Sequence, residues 1–357
     1  ENLPGVDGVR QFLIDVSEVS LRDAGTGIQR VAKNILIELI RKPPPGFRVE
    51  PVMDDGSGTL RYTRAFAARI MGIPDLGLPE DLVDTRAGDI FIGLDLASHL
   101  IEGRTALNRS LLLRGIRSYF VVYDLLPLIQ PDWFVPFHHF RIWVEQIATH
   151  CEGLLCISRS VGDQLFDWLP TLDVKRSTPL RIGHFHLGAD IGTVSSHAGP
   201  DEPGAEVARV LRSRHPVFLT VGTVEPRKGH AQALAAFERL WSEGCEAELV
   251  IIGKQGWKVE KLVERILNHP QAGKRLHWFA KASDADLNAL YGGCTALLAV
   301  SLDEGFGLPL IEAAKHGQPI IARDIPVFHE IAGEHATYFS GTGGDGGGRG
   351  GGGRGGG

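Results

Sequence analysis

Ser301-Leu302-Asp303-Glu304-Gly305-Phe306-Gly307-Leu308-Pro309-Leu310-Ile311-Glu312-Ala313 decides how this 357-residue chain is read. The apolar run before it, 296–300, has the length and composition of a buried strand. Gly305 and Gly307 then mark a turn where the backbone can come close to a neighbour that a Cβ would block. Pro309 opens a helix, because a proline in the first turn gives up no hydrogen bond. Strand, glycine-rich turn and helix N-terminus together offer free N–H groups and partial positive charge. Glu304 and Glu312 frame the turn with carboxylates that accept hydroxyl hydrogens, a set suited to a sugar nucleotide. The same spacing also fits a plain strand-to-helix turn with two solvated acids.

Working outward, the strand–helix unit recurs. The apolar run 217–221 leads into Glu225-Pro226-Arg227-Lys228-Gly229 and a helix over 230–241. Further strands are expected at 248–252, 276–279 and 319–322. Arg227 and Lys228 set a planar fork and a point charge beside a helix N-terminus, and both suit phosphate. A solvated basic turn is the plain alternative. Asp284 and Asp286 match a metal-binding D-x-D formally. They directly precede Leu287, Leu290 and Tyr291 at helical spacing, so they read as a helix cap instead.

The first half alternates in the same way. Strands are expected at 11–16, 49–53, 89–94, 119–122, 153–157 and 180–186, and helices at 104–113, 134–150 and 159–169. A polar loop covers 17–27, and Ile28, Val31, Ile35 and Leu39 recur at helical spacing after it. The loop 23–30 therefore lies between a strand end and a helix, where α/β sheets bind ligands. It is not G-x-G-x-x-G, so a dinucleotide fingerprint is missing. Tyr123-Asp124 follows another strand end. Tyr123 can supply a hydrogen bond there, and Asp124 can orient a hydroxyl or cap a turn. Residues 42–87 carry little further signal, and His138 and His139 receive no role. The pattern is an α/β chain with doubly wound parallel sheets.

Length and composition agree with two cored domains: 43% of residues are hydrophobic and 22% charged. A net charge of −6 argues against a nucleic-acid partner and requires that any anion be held by a local cluster. Cys151, Cys156, Cys245 and Cys294 form no metal or redox spacing and read as reduced thiols of a cytosolic protein. No signal peptide or membrane-spanning run is visible. The missing initial methionine suggests a processed or excised piece.

Glu304 and Glu312, with seven residues between them around Gly-Phe-Gly-Leu-Pro, resemble the paired-glutamate signature of retaining GT-B glycosyltransferases of family four. The stretches 314–322 and 221–229 resemble the same family, so the likeness covers most of 217–340. The first half matches more loosely. Its Asp-Val-Ser, Thr-Gly-Ile-Gln-Arg and Tyr-Asp-Leu-Leu-Pro are similar to bacterial surface-polysaccharide (O-antigen) enzymes, many of them mannosyl- or rhamnosyltransferases. The resemblance implies two Rossmann-like domains facing across a cleft. Residues 1–187 would form the acceptor domain, 188–216 a linker and 217–340 the donor domain. The tail 341–357 holds 13 of the 45 glycines and cannot bury a core. It faintly resembles an RNA-binding Arg–Gly tail. Enzymes of this kind continue with helices at that point, so it reads as a stand-in or artificial end.

The resemblance also implies roles. Arg227 and Lys228 would hold the donor diphosphate, Glu304 the donor sugar hydroxyls and Glu312 the ribose. Gly222, Ala280, Lys281, Gly305, Phe306, Gly307 and Leu308 would complete the donor site. Thr26, Gly27, Gln29 and Arg30, with Tyr123 and Asp124, would serve the phosphate and the acceptor. Tyr123 stands where the family often has a histidine. The donor would be a nucleotide-diphosphate sugar and the acceptor a glycan or lipid-linked hydroxyl, with no metal or other cofactor. A cytoplasmic place, with peripheral association at the inner face of the membrane, is expected. A sugar-nucleotide epimerase of the same fold and an inactive sugar-nucleotide-binding scaffold are the alternatives. Arg227 and Lys228 are expected to stand exposed in the cleft, so that losing them would affect turnover far more than stability.

Overall fold

The computed structural model describes residues 9–74, 77–136, 138–172, 174, 176, 178–188 and 202–341. Two parallel-sheet α/β domains are present. The first sheet contains β1 (Arg10–Asp15), β2 (Phe47–Asp54), β3 (Leu60–Tyr62), β4 (Ile90–Gly93), β5 (Arg117–Val122), β6 (Gly153–Cys156) and β7 (Arg181–His184), in the order β3-β2-β1-β4-β5-β6-β7. Only the β2–β3 pair is antiparallel. The second contains β8 (Val217–Val221), β9 (Glu248–Ile252), β10 (Leu276–Phe279), β11 (Ala296–Ala299), β12 (Ile320–Arg323) and β13 (Ala336–Phe339), in the order β10-β9-β8-β11-β12-β13. Strand order reverses between β1 and β4 and again between β8 and β11. Ligand crevices of open α/β sheets form at such points.

Apolar layers cover both faces of each sheet. Leu13, Phe91, Phe120 and Trp143 pack on one side of the first, Ile14, Val16, Leu36 and Ile37 on the other. Every residue of β9 is buried, as expected of a parallel strand covered on both faces. Among the described residues no helix is long and apolar enough to cross a membrane, and all four cysteines are free.

Several expected elements are revised. The loop expected over 17–27 begins with a helix, Ser17–Leu21. Its supports come from far along the chain. Asp95 accepts the Val19 N–H, Arg104 donates to Ser17 Oγ at 2.7 Å, and Arg104 pairs with Asp15 and Asp54 in a buried cluster. The helix expected from 134 starts at His138. Pro131–Trp133 forms a 3-10 turn ahead of it, and Pro136 keeps the residue before it out of helical conformation. Besides β2, at the expected strand 49–53, the region 42–87 holds β3 and a helix, Arg64–Ile70, tied by Tyr62 Oη donating to Gln11 at 2.6 Å. Within the expected linker, Ala205–Leu211 is a helix whose Val207 and Val210 belong to the second domain's core. Residues 189–201 of that linker and 342–357 of the glycine-rich tail lie outside the described residues.

The two domains meet along a polar and apolar seam. Phe306 leaves the second domain and packs with Ile14, Val16, Tyr123 and Leu187 of the first. On one flank, Lys254 donates to the Ala24 carbonyl at 3.1 Å and Trp257 Nε1 to the Trp133 carbonyl at 2.8 Å. On the other, Glu330 of the Pro326–Ala332 helix accepts from Arg159 N–H at 2.6 Å, Ser160 N–H at 2.8 Å and Ser160 Oγ at 2.8 Å. Oε1, which takes the Arg159 N–H, also lies 2.7 Å from His186 Nε2. Glu330 thus caps the Arg159–Trp168 helix from the opposite domain, where a negative charge meets the helix dipole. Burial raises its pKa, but the two N–H donors outweigh burial and hold it below the usual glutamate range.

Glu330→Ala is expected to lower unfolding stability by about 1–2 kcal/mol, the usual worth of a cap carboxylate. A depressed folded-state pKa gives stability that is present above the ordinary glutamate value and lost as pH falls through the depressed one. The difference between wild type and variant in urea melts should therefore be full at neutral pH and vanish in strong acid. A pH-independent difference would show that the carboxylate charge is not what holds this seam.

Candidate active site between the domains

The charged cluster sits at the β8/β11 switch point. After β8, Gly222 lies against the Lys228 side chain, and Pro226–Lys228 forms a 3-10 turn. Gly229 closes that turn at φ +71°, and a Cβ there would overlap the Val300 carbonyl. Only glycine lets the turn lie so close to the end of β11. Leu302 N–H then donates to the Arg227 carbonyl at 2.7 Å, locking the two loops together.

This packing brings Arg227 and Lys228 onto one carboxylate. Arg227 Nη1 donates to Glu304 Oε2 at 2.9 Å, and Lys228 Nζ donates to Glu304 Oε1. Ser301 Oγ donates to the same Oε1 at 2.7 Å. The other edge of the guanidinium, Nη2, pairs with Glu225 at 2.8 Å. Burial raises the Glu304 pKa, but Lys228 and then Arg227 outweigh it and hold the group at about 2. Burial and neighbouring Arg227 push Lys228 downward, while burial pushes Glu225 and Asp124 upward. His230 opens the His230–Ser242 helix, and among the described residues its buried ring nitrogens make no regular hydrogen bond, with the Gly222 and Thr223 backbone beside them. Burial, then Lys228, brings its pKa to about 4, so it is neutral at pH 7. The expected exposure of the two cations is corrected: the Arg227 side chain is 16% exposed and that of Lys228 13%. Each is held by acids, so its removal disturbs folding as well as chemistry.

The glycine-rich turn touches the first domain. A Cβ at Gly305 would overlap the Tyr123 carbonyl oxygen and stand 3.2 Å from Asp124 Cβ. Ser158 Oγ donates to the Gly305 carbonyl at 2.7 Å, and Gln164 Nε2 to Asp303 at 3.3 Å. Asp124 accepts the Leu126 N–H at 3.1 Å, as a cap would. It also lies within the fields of Arg227, Glu304 and Lys228, beside the charged cluster. Tyr123 is 5% exposed and its hydroxyl donates to the Leu94 carbonyl at 2.8 Å. The hydrogen bond expected for a ligand is made inside the first domain instead.

Thr26 and Gln29 form a capping box on the Gly27–Arg41 helix. Gln29 also accepts from Ala24 N–H at 2.8 Å and donates to the Arg22 carbonyl at 2.7 Å. These bonds fix the shape of the loop. Gly27 lies against Leu308, which with Phe306 packs on the first domain's apolar layer, so both side chains serve the seam. Gly307 is the left-handed N-cap of the Leu308–Lys315 helix. On that helix Glu312 pairs with Arg30 at 2.9 Å and accepts Tyr291 Oη at 2.7 Å. Ala280 and Lys281 lie exposed in the bend after β10. Asp284 and Asp286 lie in the first turn of the Asp284–Gly293 helix, where Ser283 is the N-cap and forms a capping box with Asp286, so these acids serve the helix start. Among the described residues no three His, Cys, Asp or Glu side chains gather to hold a metal ion.

Sequence reading overlooked Glu225, Ser158, Gln164 and His230. Glu225 stood inside a quoted motif, yet only the fold shows that it turns back onto Arg227. Ser158 and Gln164 meet the site from the other domain and carry no local signal. The assembled set can hold an anion on a guanidinium and an ammonium, with a carboxylate between them able to accept hydroxyl hydrogens.

Residues 206–343 match the family model described as Glycosyl transferases group 1. The chain is 42% identical over 338 residues to the serotype-specific mannosyltransferase WbdA of Escherichia coli, covering 93% of this chain and 41% of that protein. It is 24% identical over 217 residues to the O-antigen chain mannosyltransferase RfbU of Salmonella typhimurium, covering 61% of this chain and 55% of that one. Among solved structures, Anabaena Alr3699/HepE in complex with UDP and glucose superposes with a TM-score of 0.59 at 12% identity, covering 94% of this chain and 86% of that one. The catalytic domain of starch synthase IV from Arabidopsis thaliana, bound to ADP and acarbose, gives 0.56 at 12% identity, covering 94% and 89%. These two likenesses concern the fold, which is GT-B.

Proposed function

We propose that this chain, which matches the Glycosyl transferases group 1 model over 206–343 and is 42% identical to part of WbdA, moves a hexose from a nucleoside-diphosphate sugar to a hydroxyl of a glycan or lipid-linked acceptor. The names of its relatives favour mannose and an O-antigen chain. The observation that carries this reading is the convergence of Arg227 and Lys228 on Glu304 at a switch point of the second sheet. In the proposed cycle the donor diphosphate takes the place of Glu304 on both cations. Glu304 then turns to the sugar hydroxyls, and Glu312 exchanges Arg30 for the ribose. As the C1–O bond to phosphate breaks, charge grows on the leaving oxygen. Fixed charges aimed at that point supply the largest catalytic effect. The acceptor hydroxyl attacks the same face, a new C1–O bond forms, and its proton passes to the leaving phosphate oxygen. Configuration is retained, and Asp124 orients the acceptor. The two cations do the work of a metal, so none is needed. The reaction belongs on the cytoplasmic side, in peripheral contact with the membrane.

The test is a transfer assay in which a mannose-terminated acceptor meets GDP-, UDP-, ADP- and dTDP-hexoses in turn. One donor should add a single hexose, seen by mass spectrometry, with the donor's anomeric configuration by NMR and full activity in EDTA. Isomerisation of a donor without acceptor, or inversion, would overturn the reading.

A further inference from the structure

We propose that Glu225 is a positioning residue that holds the Arg227 guanidinium in line for the leaving phosphate. The inference rests on the proposed function above and goes beyond it, since neither the motif nor the family reading gave Glu225 a role. Glu225 is 3% exposed and precedes the Pro226–Lys228 turn in extended conformation. Its carboxylate lies 2.8 Å from Arg227 Nη2, while Nη1 points the opposite way, to Glu304. Arg227 is thus gripped at both edges, and its Nε is buried without a partner. A wall seals Glu225 in place. The loop after β9 pairs with its neighbour Val224 through two hydrogen bonds, Val224 N–H to Lys254 and Gly256 N–H to Val224, both 2.9 Å. A Cβ at Gly256 would stand 3.3 Å from Glu225 Cβ.

The two acids differ in what they are free to do. Glu304 sits on a glycine-rich turn and shares its oxygens among Arg227, Lys228 and Ser301. It must leave the cations when a diphosphate arrives. Glu225 faces Arg227 from behind and can stay. With Nη2 still pinned, Nη1 remains directed at the position that Glu304 vacates for the incoming anion. A guanidinium held by one edge loses less orientational freedom at the transition state than one held by none. Glu225 is buried, so the action assigned to it runs through Arg227, with Lys228 feeling its charge as well.

Glu225→Gln tests this, because it keeps the shape but makes the bond to Nη2 neutral and weaker. We expect kcat for hexose transfer to fall about ten-fold while donor KM and calorimetric GDP or UDP affinity change less than about three-fold, the pattern of an interaction that matters mainly at the transition state. The Arg227 guanidinium NMR signals, resolved by hindered rotation in the wild type, should average in the variant. Glu225→Asp keeps the charge but pulls it back by a methylene; it should show an intermediate kcat at a near-native melting temperature. Wild-type kcat in both variants, or unchanged guanidinium rotation, overturns the proposal. So does a parallel fall in kcat, affinity and melting temperature, which would make Glu225 only structural. If the wild type neither binds GDP or UDP nor transfers a hexose, the functional reading fails, and the NMR signals still report whether Glu225 holds Arg227.

Discussion

Lys228→Ala is expected to lower kcat by about 100- to 1,000-fold, the loss seen when one fixed group that stabilises developing charge is removed. The ammonium reaches Glu304 Oε1 from the turn after β8, and no other described lysine pairs with Glu304. Arg227→Ala should cost at least as much, since it removes a planar fork that a point charge cannot copy. Both variants should also be less stable, contrary to the expectation drawn from sequence. Each leaves a buried carboxylate short of a partner, which costs about 3–5 kcal/mol where a buried pair is fully broken. The loss should be smaller for Lys228→Ala, because Glu304 keeps Arg227 and Ser301. Acid sensitivity follows from the same contacts. The Glu304 pKa of about 2 gives stability that is present above the ordinary glutamate value of 4.5 and lost as pH falls toward 2. Removing Lys228 shrinks that depression, so the variant should lose less stability between pH 4.5 and 2 than the wild type does, and complete that loss at milder acidity. Steady-state kinetics with urea melts at two pH values separates the two effects.

Gly305→Ala is expected to reduce kcat/KM by about 100-fold or more, the scale at which a misplacement near 1 Å disrupts a positioned site. The added methyl would overlap the Tyr123 carbonyl oxygen, and both groups are main chain, so no side chain can swing away. Either the domains part or the turn retreats. Ser158 would then lose the Gly305 carbonyl, and Glu304 would shift from the cations. Each sheet has its own apolar layers, so the fold should survive. Gly162→Ala is the control, because a Cβ there would stand 3.9 Å from Cys156 Cβ, an ordinary contact. Small-angle scattering should report a larger radius for the Gly305 variant and none for the control. Near-native activity in Gly305→Ala would mean that this contact is not needed for turnover.

What the sequence made legible was local. Strand, glycine turn and proline-opened helix are written in adjacent residues around 296–315, and both ends of that unit lie where expected. The Ser283 cap was equally plain, because a capping box needs only four neighbouring residues. What stayed hidden depends on partners far along the chain. The Ser17–Leu21 helix is held by Asp95 and Arg104. Tyr123 gives its hydroxyl to Leu94, and Phe306 finds its apolar neighbours in the other domain. Val207 and Val210 fall inside the stretch expected as linker, yet they pack in the second core. Local pattern names the groups at the site, and tertiary packing decides which of them are free to meet a ligand.

Calorimetric titration with GDP and with UDP asks the central question most directly. One of the two should bind the wild type, and binding should disappear when Arg227 and Lys228 are both replaced by alanine in a folded variant. Undiminished binding by that double variant, or no binding of either nucleotide by the wild type, would contradict the claim that this pair of cations holds a diphosphate.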